Sequence, residues 1–163
     1  MILLVTITLA VSLLIAGIYG YKRRQDQQNA LRVSEILYRR AEQNALRKDA
    51  LFIRKKQGVW IDKKKNLLFY VLLNKDTIKE TLINLSDLKT CEIRKNYTTQ
   101  QQGGNFFFKK SKKHIDTIVL RLEQKDDSGS VLEIPFYKNN DDRLSEMKML
   151  FQKAWHLKRL IER

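Results

Sequence analysis

The chain has 163 residues, 32 Lys plus Arg against 18 Asp plus Glu, and a formal net charge of +14. That length suits one domain with an appendage and excludes a large multi-domain enzyme. An apolar content of 43% excludes a disordered tail, one Pro and six Gly exclude a collagen-like or low-complexity chain, and one Cys excludes a disulfide framework or a multi-cysteine metal site.

Residues 1–21 carry no charged side chain, and Thr6, Thr8 and Ser12 are the only hydroxyl breaks before two tyrosines. As a helix rising 1.5 Å per residue, 21 residues span roughly 31 Å, the thickness of a bilayer's hydrocarbon core. Tyr19 and Tyr21 close the run where interfacial rings belong, and Lys22, Arg23 and Arg24 follow at once. A cleaved signal peptide would place its charges before the run and a small-residue cleavage site after it. A lipoprotein would need a Cys just past the run, and the single Cys is Cys91. The expectation is an uncleaved transmembrane anchor over 1–21. The positive-inside rule then sets the N-terminus outside and the following chain in the cytoplasm of a bacterial inner membrane.

Residues 22–57 form a basic connector, 11 basic against 4 acidic side chains for a net of +7. Ala30, Val33, Leu37, Ala41 and Ala45 recur at helical steps, and Glu35 stands four residues before Arg39. This predicts one helix continuing to about residue 48, its narrow stripe lying on a partner helix or over the folded domain.

After Gly58 the pattern changes to short apolar runs between polar turns. Strands are predicted near 58–62, 67–73, 77–83, 87–94, 105–109, 115–123 and 130–136. Residues 95–104 read as a long polar loop and Lys110 to His114 as a break. Ile118, Leu120 and Leu122 share one face at period two, as do Leu132, Ile134 and Phe136. Leu67 to Leu73 is apolar on both faces, a central strand, whereas Pro135 belongs at an edge. A C-terminal helix over 141–162 is predicted from an Asn140 cap, Asp141 and Asp142 in its first turn, and an apolar face of Leu144, Met147, Leu150, Phe151, Ala154, Leu157 and Ile161.

Seven strands and one terminal helix make the element order of the pleckstrin-homology superfold. The run Gly58-Val59-Trp60-Ile61-Asp62, its Lys-rich turn and Leu67-Leu68-Phe69-Tyr70 resemble the opening hairpin of small bacterial PH-like domains. Leu85-Ser86-Asp87-Leu88, leading to Cys91-Glu92-Ile93, resembles a later turn and strand of the same group. The resemblance covers about 58–163 and implies an α+β fold: a seven-stranded antiparallel PH-like barrel or sandwich with one C-terminal helix, preceded by the transmembrane helix and its basic continuation. It implies binding of protein, peptide or lipid headgroup, and it carries over no binding residues. A long apolar-then-amphipathic helix before a sheet is also the type IV pilin plan. A pilin's basic leader and early glutamate are missing here, which leaves an extracytoplasmic pilin-like subunit as the lower alternative.

No His-Glu-x-x-His, Cys-x-x-Cys or phosphate-loop pattern occurs, so no catalytic, cofactor or metal residues are assigned. His114 ends a lysine run, His156 adjoins Trp155, and Cys91 falls within a predicted strand. Asp62, Asp87, Glu92 and His156 would regain interest only around a shared pocket. Residues 94–114 combine basic, aromatic and Gln-Gly segments. They read as a mobile loop with inward Phe106 and Phe108, as a membrane contact, or last as a nucleic-acid contact. Candidate membrane or lipid contacts are Lys22, Arg23, Arg24, Phe107, Lys109, Lys110, Lys112 and Lys113. The expected function is that of a non-enzymatic, membrane-anchored cytoplasmic adaptor or accessory subunit binding another protein without a cofactor. The alternative is binding of anionic headgroups at the membrane surface.

Overall fold

Helix α1 runs over Ile2–Gln43, as its unbroken lack of Pro and the 33/37/41 stripe dictate. The computed structural model describes residues 2–74, 77–101, 111–125 and 129–162, and along α1 the side chains are described continuously from Val11. Val33, Leu37 and Ala41 are buried, and the expected Glu35–Arg39 pair forms at 3.3 Å on the outer face. The helix stops five residues earlier than the stripe predicts. Leu46 N–H donates to the Ala41 carbonyl (2.7 Å) and Ala45 N–H to that of Glu42 (3.0 Å), with Ala45 left-handed at φ 47°. This is a Schellman termination. Ala45 therefore belongs to the cap and not to the stripe.

The expected membrane span is not recovered. Among the described residues, no helix is long and apolar enough to cross a membrane. This overturns the transmembrane, single-pass and inner-membrane readings, together with the orientation derived from them.

Four strands follow: β1 Ala50–Arg54, β2 Gln57–Asp62, β3 Leu67–Asn74 and β4 Thr77–Asn84. They form one sheet in the order β1-β2-β3-β4. β1 was not expected. It pairs antiparallel with β2 across a two-residue turn in which Lys55 is left-handed at φ 50°. β2 pairs with β3, Trp60 opposite Phe69 and Gly58 opposite Val71. Trp60, Phe69, Val71 and Leu73 meet Val33, Leu37 and Ala41 of α1 in one apolar cluster. β2 and β3 are covered on both faces, since Val59, Ile61, Leu68 and Tyr70 are also buried. On that second face the Tyr70 hydroxyl donates to the buried Gln57 Oε1 (3.1 Å).

Gly58 sets how closely α1 lies on β2. A Cβ there would stand 2.5 Å from Leu37 Cδ1 and 2.6 Å from Val33 Cγ1.

After a 3-10 turn at Leu85–Asp87, capped by Asn84 Oδ1, come β5 Leu88–Gln101, β6 Ser111–Gln124 and β7 Val131–Lys138. These form a second sheet in the order β5-β6-β7. Ile118, Leu120, Leu122, Ile134 and Phe136 are buried as their alternation predicts, and Pro135 lies on the edge strand. The register shifts between Ile118 and Val119, so Phe136 is an extra residue and both it and Tyr137 face inward. The segments read as a polar loop and break are strand instead at 95–101 and 111–114, and the strand expected at 105–109 lies outside the described residues.

Helix α2 spans Met147–Ile161 and starts six residues after the expected boundary. Asp142 explains the delay. Its Oδ2 accepts Lys138 N–H (2.8 Å), and the Asp141 and Asp142 N–H groups return to the Lys138 carbonyl (both 2.9 Å). These residues close a turn, so Asn140 caps nothing and Leu144 stays exposed. Leu150, Ala154 and Leu157 supply the buried face.

The expected barrel is corrected accordingly. Seven strands and a terminal helix occur, but the strands divide into sheets of four and three, and no closed barrel forms among the described residues. The chain makes two compact units, Met1–Ile83 and Asn84–Arg163.

Candidate functional site

The side chains chosen from sequence are not gathered into one site. Lys22, Arg23 and Arg24 are exposed on α1 in the first unit. Phe107, Lys109 and Lys110 lie outside the described residues. Lys112 and Lys113 occupy β6 positions opposite Gln100 and Thr99 in the second unit. β7 pairs no further along β6 than Thr117, so the stretch Tyr97–Gln101 with Ser111–Ile115 is a two-stranded ribbon. Near its base, Lys95 Nζ lies 3.9 Å from the Phe151 ring centroid and Arg94 pairs with Glu92 at 3.3 Å.

Asp62 and Cys91, the two buried residues with catalytic chemistry, are held by their surroundings. Asp62 is buried at 1% exposure and holds two turns together, its carboxylate accepting Arg47 N–H (2.7 Å) and Lys65 N–H (2.9 Å). Burial pushes its pKa up, but these backbone donors and the Lys65 charge outweigh burial and hold it below its ordinary value. Trp60 Nε1 donates to the Arg47 carbonyl (3.0 Å), Lys63 N–H to Asp49 Oδ2 (2.7 Å) and Lys65 Nζ to the Asn44 carbonyl (2.6 Å). The result is a clasp between the α1–β1 connection and the β2–β3 turn. Burial, with Glu162 adding to it, pushes the Cys91 thiol up to about 12, which keeps it protonated at neutral pH. Asp87 and His156 are exposed, and Glu92 is paired. Cys91 and Glu92 line one hollow, which Asp62, Asp87 and His156 do not line, and among the described residues no group of three metal-ligating side chains occurs.

The most site-like geometry lies between α1 and β4. β4 ends its sheet, so no strand pairs with its outer edge among the described residues. Alternation puts Ile78, Glu80 and Leu82 on one face, and Ile78 and Leu82 are 43% and 55% exposed. Two hollows lie between α1 and this strand. The first is lined by Arg40, Asn44, Leu46, Phe69, Glu80 and Leu82. The second, about 370 Å³, is lined by Gln25, Asn29, Arg32, Lys56, Leu73, Asn74, Thr77 and Ile78. Within the first, Arg40 Nε donates to Glu80 Oε2 (2.8 Å), linking helix to strand.

The groove therefore has an apolar floor of Phe69 and Leu73, an exposed apolar strip on β4, and a wall carrying Arg32, Arg40 and Lys56 against the single acid Glu80. An extended chain fits such a place in two ways. It can pair its backbone with an open strand edge, and it can seat alternate side chains beside Ile78 and Leu82. Sequence reading missed the groove because its walls are distant in the chain. The usable signal was β4 itself, where two apolar residues alternate with polar ones on a strand too polar to be covered.

No family model, no curated protein and no solved structure matches the chain.

Proposed function

We propose that this protein is a non-enzymatic binding module, an adaptor that takes an extended segment of another protein into the α1–β4 groove. The observation that carries the reading is the open edge of β4 beside exposed Ile78 and Leu82, over a floor of buried Phe69 and Leu73. Backbone pairing supplies affinity in this mode, and pockets for alternate side chains supply selectivity. The positive wall favours a segment with acidic residues at the positions facing α1.

A displayed library of random linear peptides, selected against the full chain, tests this. Enrichment of sequences alternating apolar and acidic residues is expected, with binding lost in the Ile78→Asp/Leu82→Asp double variant. Enrichment without such a pattern, or binding indifferent to the double variant, would reject the groove.

A second reading is favoured by the exposure of Arg23 and Arg24 directly after a run of exposed apolar residues. Such a basic cluster attracts anionic headgroups, by up to about 1 kcal/mol per residue near the surface. Co-sedimentation with phosphatidylserine vesicles should then fall in an Arg23→Gln/Arg24→Gln variant. Unchanged sedimentation would discard it.

A further inference from the structure

We propose that the recess at the Arg32 end of the groove is a phosphate-monoester subsite, receiving a phosphorylated side chain of the bound segment. The lining is unusual in composition. Arg32 and Lys56 supply two positive charges, and Gln25, Asn29, Asn74 and Thr77 supply neutral donors. No carboxylate lines the recess among the described residues, and neither Arg32 nor Lys56 has an acidic partner there. The Asn29 side-chain nitrogen is buried and makes no hydrogen bond. An unsatisfied buried donor of this kind is unfavourable, and an oxyanion seated in the recess would satisfy it.

A guanidinium presents a fork of donors that matches phosphate geometry, and an ammonium beside it adds a point charge. Together they neutralise a dianion, which a carboxylate cannot match. The volume, about 370 Å³, accommodates a phosphate with part of its carrying side chain. The apolar residues Leu73 and Ile78 in the same lining suit the stem of that side chain. The carrier rests on the groove reading above; the recess chemistry does not.

The probes are O-phosphoserine, inorganic phosphate and vesicles containing phosphatidic acid, each added to the full chain. Saturable O-phosphoserine binding is expected, with a shift of the Asn29 side-chain amide resonance in NMR spectra. Affinity should drop about tenfold or more in Arg32→Gln and in Lys56→Gln. It should persist in Arg159→Gln, which does not line the recess. Non-saturable binding, or equal weakening by Arg54→Gln outside the recess, would overturn the subsite. Binding to phosphatidic acid vesicles that depends on Arg32 and Lys56, without O-phosphoserine binding, would overturn the phosphorylated segment as the source. If O-phosphoserine binds as expected while the peptide library yields no groove-dependent sequences, the groove reading fails and the recess stands.

Discussion

At the scale of single residues, the first unit depends on two side-chain decisions, a charge and an absence. Asp62 is a buried carboxylate whose oxygens accept backbone N–H groups from two different turns. An Asn there would turn one acceptor into a donor facing an N–H, so Asp62→Asn should destabilise by about 1–3 kcal/mol in denaturant unfolding. Its pKa is lowered in the folded state, so the carboxylate's contribution is complete above the ordinary value of 3.8 and is lost as pH falls below it. Acid unfolding of Asp62→Asn should therefore lack that part of the slope, and an acid limb as steep as in the parent protein would contradict the assignment. Gly58 is the absence. Its missing side chain admits the Leu37 and Val33 methyl groups, and Val33 is β-branched and stiff. Gly58→Ala should cost about 1–3 kcal/mol, the range for overpacking a fitted core. Val33→Ala placed in the Gly58→Ala background should recover part of the loss, and a purely additive double variant would refute the contact.

At the scale of elements, periodicity was readable and termination was not. β2 and β3 follow from short apolar runs between polar turns, and β4, β7 and the inward face of β6 from apolar alternation. β1 was missed because Lys55-Lys56 carries no Gly, Asn or Pro to mark a turn, although Lys55 adopts the left-handed conformation. α1 ends for the same kind of reason, at a left-handed Ala45 where a glycine would have announced the cap. That conformation costs a non-glycine residue about 1–2 kcal/mol, partly offset by the extra freedom glycine has when unfolded. Ala45→Gly should accordingly raise stability by about 0.5–1 kcal/mol, seen as a higher midpoint in thermal unfolding. A lower midpoint would mean that the cap geometry is not as described. The ends of β5 and β6 were hidden because a ribbon with no third strand has no covered face to impose alternation. Two strands alone are marginally stable. Amides of Tyr97–Gln101 and His114–Ile115 should exchange at least about tenfold faster than those of Cys91–Arg94, which pair within the three-stranded part. Equal protection along the whole hairpin would show that something else covers the ribbon.

At the scale of the whole molecule, the placement of charge and apolar surface was legible in outline, but its consequence was not. Strand patterns reveal which residues face a core. They do not reveal which edges meet, and the gap between β4 and β5 in pairing order is what replaces a barrel with two open sheets. Among the described residues it also leaves the outer edge of β4 unpaired, so the groove depends on a feature that no local pattern encodes. The apolar segment of α1 poses the converse case: its composition was plain and its environment was not. Leu13, Leu14, Ile18, Tyr19 and Tyr21 are between 65% and 71% exposed, at positions that circle the helix. A helix apolar on every side needs cover from outside this chain. In water that surface should bind Nile red, an uncharged dye chosen so that the net charge of +14 cannot attract it. Leu14→Ser/Ile18→Ser should reduce native-state fluorescence of the dye. The denaturation midpoint should stay where it is, with the unfolding free energy changed by less than about 0.5 kcal/mol, since neither residue contributes to the core cluster around Leu37. A midpoint that falls with the fluorescence would mean that this stretch is packed within the protein, and that its exposure is not the native condition.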